Sequence, residues 1–127
     1  MVEPAPVPVL IVDDQAPFRR AAHAVITATD GFTVVGEAES GEQAVEMADA
    51  LEPGLVLMDI NLPGINGIEA TRRITSAHPK AIVMLLSTYQ AADLPADAGD
   101  CGAAAYVHKE EFGPALVRDV WARHSMA

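Results

Sequence analysis

The stretch Leu55-Val56-Leu57-Met58-Asp59-Ile60-Asn61-Leu62-Pro63-Gly64 constrains the fold of this chain more than any other. Four apolar residues run directly into one aspartate, and a Pro-Gly turn follows. A short, unbroken apolar run predicts a strand buried on both faces, the environment of a parallel sheet covered by helices. Asp59 then stands where that strand surfaces, on the rim of the sheet. Taken alone, Asp59 reads equally well as a residue that merely opens a turn.

The same grammar recurs along the chain. Residues 1–6, with Pro4 and Pro6, read as a disordered lead-in, and one domain is expected over residues 7–124. Val7–Val12 is a strand ending in Asp13-Asp14. Pro17 suits the first turn of a helix whose buried face is Phe18, Ala21, Ala22, Val25 and Ile26, and Asp30-Gly31 stops it. Phe32–Ala38 is a second strand. Ser40 with Gln43 forms a capping box for a helix with the core stripe Ala44, Val45, Ala48 and Leu51, ended by Pro53-Gly54. After the third strand, Asn66 and Glu69 repeat the capping pattern and predict a helix over Gly67–Ala77 that stops before Pro79. Ala81–Leu86 is a fourth buried strand, leading into Ser87-Thr88. Ala91–Ala98 has few large apolar residues and a proline inside it, and predicts a short, interrupted, mobile helix. Ala104–His108 is the fifth strand, followed by Lys109. Pro114 opens the last helix, with Leu116, Val117, Val120 and Trp121 turned inward.

Five strands alternating with five helices give a parallel sheet covered on both faces, and right-handed crossovers leave few topologies. In such sheets ligands bind beyond the carboxyl ends of the strands. Those ends carry Asp13 and Asp14, Asp59, Ser87 and Thr88, and Lys109. Each has an ordinary explanation alone: a favourable charge near a helix N-terminus, a turn residue, a solvated lysine. Their joint placement at the same rim points to one site. Two carboxylates about 4 Å apart repel by roughly 4 kcal/mol at an effective dielectric near 20, and three raise one another's pKa unless a cation sits among them. Oxygen ligands without His or Cys favour a hard ion, and few carboxylates with room for water and phosphate favour Mg²⁺ over Ca²⁺. Lys109 adds a positive charge suited to a phosphoryl oxygen, and the Ser87 hydroxyl can donate to another.

Composition excludes other classes. Among 127 residues, 8 Lys and Arg face 18 Asp and Glu, a net charge of -10. Such a surface repels phosphate backbones, so no direct nucleic-acid binding by this chain is expected. No apolar run approaches the roughly 18 residues of a membrane span, and no signal peptide is visible. The single cysteine, Cys101, rules out an internal disulfide framework and reads as a small packed hydrophobe. A cytoplasmic location is the expectation.

Along nearly its whole length the chain resembles the receiver domains of two-component response regulators. The matching residues are Val12-Asp13-Asp14, Met58-Asp59-Ile60-Asn61-Leu62-Pro63-Gly64, Ser87, Tyr106 and Lys109. Val35-Gly36-Glu37-Ala38 and Gly41-Glu42-Gln43-Ala44 are similar to the NarL/LuxR-type branch. The resemblance implies a flavodoxin-like three-layer α/β fold, a five-stranded parallel sheet of order 2-1-3-4-5 with five flanking helices. It implies that Asp59 is the nucleophile taking a phosphoryl group from a sensor histidine kinase. Asp14, Asp59 and the Asn61 backbone carbonyl would hold Mg²⁺ directly, and Asp13 mainly through water. Lys109 and Ser87 would contact the phosphoryl oxygens. Ser87 would then move toward the new charge and Tyr106 would turn inward, reshaping the face of the fourth helix, fifth strand and fifth helix for an output protein, a fused output domain or a homodimer partner. No enzymatic turnover is implied beyond the domain's own phosphorylation and dephosphorylation.

Some positions depart from the family pattern. Glu110, not proline, follows Lys109. Thr88 replaces a small residue, and Tyr89 comes next; together they predict a shielded, comparatively long-lived phosphoryl group. No output module follows Arg123 in this sequence, so a stand-alone receiver and the receiver of a DNA-binding regulator both fit. Two rivals come from other classes. Haloacid dehalogenase-like phosphatases also use a strand-end aspartate with Mg²⁺, but want a second aspartate two positions later as general acid, where this chain has Asn61. A non-phosphorylated receiver-like binding module is disfavoured by the intact Asp14, Asp59, Ser87 and Lys109 set.

Overall fold

The computed structural model describes residues 5–88 and 99–125. Its elements are β1 (Val7–Val12), α1 (Ala16–Thr27), β2 (Phe32–Ala38), α2 (Gly41–Leu51), β3 (Leu55–Asp59), α3 (Gly67–Ala77), β4 (Ile82–Ser87), β5 (Ala105–His108), a 3₁₀ turn (Lys109–Glu111) and α4 (Pro114–His124). The strands form one sheet of order β2-β1-β3-β4-β5, and every neighbouring pair is parallel. Among the described residues there are four α-helices, not five. The interrupted helix expected over residues 91–98 lies outside the described residues, as do Tyr89 and residues 1–4 of the lead-in.

The apolar runs become the middle of the sheet. All five residues of β3 and all six of β4 are buried, because helices cover both faces there. Alternate strand residues feed two cores. Leu10, Val12, Val56, Met58, Val83 and Leu85 pack with α2 and α3. Val9, Ile11, Leu55, Leu57, Met84 and Leu86 pack with Ala22 and Ile26 of α1 and Val117 and Val120 of α4.

The edges depart from expectation. Ala21 is exposed, and the buried face of α1 narrows to Ala22 and Ile26, with Phe18 and Val25 half-buried. Leu51 is 38% exposed, because α2 ends over the edge strand β2, where no further strand extends the cover. Gly36 of β2 leaves the space that the Met47 and Leu51 side chains enter; a Cβ there would lie 2.6 Å from Met47. β4 includes Ser87, one residue beyond the expected end, and β5 starts at Ala105 rather than Ala104.

Both caps form. The Ser40 hydroxyl accepts from the Gln43 N–H at 3.1 Å, while Gln43 reaches one residue further back than a capping box does, to the Glu39 N–H at 2.7 Å. The Asn66 side chain accepts from the Glu69 N–H at 2.9 Å. The Glu69 carboxylate turns along the helix to Arg72 and Arg73, at 2.7 and 2.8 Å. Among the described residues, no helix is long and apolar enough to cross a membrane.

Candidate functional site

The sheet order carries distant residues to one rim. β1 and β3 are neighbours, so Asp13, just past β1, meets Asp59, the last residue of β3. Asp13 is held in place by its N–H donating to the Ala38 carbonyl at 3.0 Å, and the Ile60 N–H extends the β3–β4 ladder by donating to Leu86 at 3.2 Å. Carboxylate oxygens of Asp13, Asp14 and Asp59 all lie within 4.8 Å of one another. Asp13 and Asp59 are only 1% and 5% exposed, whereas Asp14 is exposed.

One ammonium enters this cluster. The Lys109 Nζ lies 2.7 Å from Asp13 Oδ2 and 3.4 Å from Asp59 Oδ1, and 4.5 Å from the centre of the Phe18 ring. It reaches Asp13 across 96 positions of sequence. The other Asp13 oxygen accepts the Gln15 N–H at 2.8 Å. Lys109 therefore neutralises Asp13 better than Asp59. The Asp59 pKa is pushed up to about 6, first by burial and then by the neighbouring Asp13 charge, with Lys109 opposing and Asp14 adding slightly. Three carboxylates around one ammonium leave a deficit of positive charge, and the donor set is all oxygen. Both properties fit a hard divalent cation.

The remaining expected residues lie on β4, on β5 and just past β3. Ser87 is the buried last residue of β4. Asn61 is exposed, two residues past Asp59. Tyr106 lies on β5 and is 40% exposed, its hydroxyl pKa raised mainly by burial, then by Cys101 and Asp100. The structure thus gathers Asp13, Asp14, Asp59 and Lys109 into direct range, sets Ser87 at the adjoining strand end, and leaves Tyr106 outward.

Several supports escaped the sequence reading. Arg19, 13% exposed, donates to the Asp13 carbonyl at 2.7 Å and pairs with Glu39 at 3.1 Å and Glu37 at 3.4 Å. A guanidinium in the first turn of a helix runs against the helix dipole, and that misfit was the available sign of acidic partners. Glu42 accepts the Ile65 N–H at 3.2 Å and so ties α2 to the loop after β3, where Gly64 takes a positive φ of 72°. Gly67 opens α3 against the β3 end: a Cβ there would collide with the Asp59 carbonyl oxygen. The phosphatase alternative gains nothing, since the position two beyond Asp59 is an amide with no proton to give as an acid.

Comparisons with known proteins agree with this geometry. A model of the response regulator receiver domain matches residues 9–120. The transcriptional regulatory protein LnrK of Bacillus subtilis (strain 168) is 36% identical over 117 residues, covering 92% of this chain and 53% of that protein. The signal receiver domain of the putative response regulator NarL from Mycobacterium tuberculosis superposes with a TM-score of 0.87 at 27% identity, over 98% of this chain and 100% of that one. A CheX-CheY-BeF₃-Mg²⁺ complex from Borrelia burgdorferi matches with a TM-score of 0.81 at 26% identity, over 94% of this chain and 89% of the matched chain. The chain spans about half the length of the curated relatives it matches.

Proposed function

This chain belongs to the response regulator receiver domain family of two-component systems, and from that membership we propose that Asp59 accepts a phosphoryl group from the phosphohistidine of a sensor histidine kinase. The observation that carries the proposal is the buried Asp59 carboxylate flanked by Asp13, Asp14 and the Lys109 ammonium. An Asp59 oxygen attacks phosphorus, the P–N bond to the kinase imidazole breaks, and its electron pair returns to the imidazole nitrogen. Lys109, already 3.4 Å from Asp59, is in reach of a phosphoryl oxygen bound there, and Ser87 is at the adjoining strand end to donate to another. Asp13, Asp14, Asp59 and the Asn61 main chain would hold Mg²⁺, which supplies charge neutralisation for the transferring group. The protein's share is positioning and electrostatics rather than turnover of a separate substrate.

The acyl phosphate adds close to two negative charges at the rim. Ser87 moves toward it, and Tyr106 leaves its half-exposed position for the interior. The face containing β5 and α4 then changes shape, a shift between two populated states. An output domain in the same protein, a separate cytoplasmic output protein or a second copy of the domain reads that face. Relatives such as LnrK, transcriptional regulatory proteins about twice as long, support an output domain in cis. The chain's own charge of -10 assigns DNA contact to that other domain. Beryllofluoride, a phosphoryl mimic, provides the test. With Mg²⁺ it should shift the backbone resonances around Asp59, Ser87 and Tyr106 in the parent and leave Asp59→Asn unchanged. Unshifted parent resonances, or equal shifts in both, would refute the assignment.

A further inference from the structure

His108 ends β5 and stands opposite Ser87 in the β4–β5 ladder. Its imidazole bridges two segments of the rim. Nδ1 lies 3.2 Å from the Glu110 backbone N–H, and Nε2 lies 3.0 Å from the Thr88 carbonyl oxygen. A backbone N–H only donates and a carbonyl only accepts, so these two partners select the neutral ring with its proton on Nε2. The ring thereby fastens the first residue beyond β4 to the 3₁₀ turn that begins with Lys109. Thr88 itself is exposed, at the point where the chain leaves the sheet.

We propose that His108 is a latch on the β4 end: its Nε2–H···O=C bond to Thr88 holds the Ser87-Thr88 segment in the pose with Ser87 at its strand end and Tyr106 outward, and so sets how much of the domain occupies that pose. The consequence for signalling rests on the phosphoacceptor reading. A displacement of Ser87 toward Asp59 carries the adjoining Thr88 peptide with it and lengthens or breaks the bond to His108. A ligand or modification shifts a two-state equilibrium only by the difference in its interactions with the two states. A hydrogen bond made in one state alone is worth about a fivefold bias toward that state. His108 is thus a positioning residue: it touches neither the phosphoryl group nor Asp59, and acts through the Thr88 peptide that adjoins Ser87.

The test uses the whole unphosphorylated chain. Relaxation dispersion at the Ser87 and Thr88 amides is measured in the parent, His108→Phe and His108→Gln. Phenylalanine keeps a planar ring and loses both hydrogen bonds. Glutamine keeps a donor and an acceptor. His108 is half-buried at the end of the sheet. His108→Phe should raise the minor loop population about fivefold, with His108→Gln returning it toward the parent. Parent-like exchange in His108→Phe overturns the latch, and so does a glutamine variant indistinguishable from phenylalanine. Beryllofluoride titration gives the second readout: His108→Phe should bind it about fivefold more tightly than the parent, and equal affinity also overturns the latch. A parent that fails to bind beryllofluoride counts against the phosphoacceptor reading, and the loop exchange still decides the latch.

Discussion

Asp59 carries an energetic burden that its proposed role as phosphoacceptor would explain. Its pKa is about 6 in the folded domain against 3.8 for an unperturbed carboxyl, because the charged form is buried beside Asp13. Between those two values the unfolded chain has released the proton that the folded domain retains, so stability falls as pH rises through this window. The penalty is complete above about pH 6 and amounts to on the order of 2–3 kcal/mol. Asp59→Asn carries no such charge. In buffer with a chelator it should unfold at higher urea than the parent near neutral pH, and the gap should close as pH falls toward 4. A gap that does not vary with pH would contradict the burial argument. The strand-end acids and Lys109 were legible because each terminates an apolar run. The contacts of Arg19 with Glu39 and of His108 with the Thr88 carbonyl were not, since each joins residues 20 positions apart that only the sheet order brings together.

The junction of β3 and α3 shows how a helix start can set a site. Asn66 caps α3 and Gly67 follows it directly. A methyl group at Gly67 would meet the Asp59 carbonyl oxygen and come within 2.9 Å of Ile60 Cα, both backbone atoms that a side-chain rotation cannot relieve. Gly67→Ala should therefore destabilise the domain by about 2 kcal/mol or more, read from the urea midpoint. A change below about 0.5 kcal/mol, the range of neutral surface substitutions, would show that α3 is free to slide away from β3. Element identities were readable from periodicity and caps: β1, β2 and α3 fall on their expected bounds. Periodicity does not reveal where a neighbouring layer stops. That is why helical spacing places Ala21 and Leu51 in the core although both lie exposed, Leu51 over the edge strand β2 with no further strand beside it. The Glu69 carboxylate likewise had a choice of partners, and the two arginines on its own helix won over the cap.

For the whole molecule, the decisive quantity is strand order. Alternating elements predict a covered parallel sheet, but they do not say which strands are neighbours; the order 2-1-3-4-5 came from family resemblance and is the order found. That order converts separate strand-end residues into a cluster with a shortage of positive charge. It also places Ser87 and His108 side by side at the end of the β4–β5 pair, next to the rim that holds Asp59. In an acidic chain of net charge -10, one ammonium enters this cluster among the described residues, and it leans toward Asp13. Whether Asp59 accepts the phosphoryl group is decided by the intact mass of the chain after incubation with acetyl phosphate and Mg²⁺ and an acid quench, beside Asp59→Asn. One phosphoryl increment is expected on the parent and none on the variant. No increment on the parent over a series of short incubations, or the same increment on both proteins, would contradict that role for Asp59.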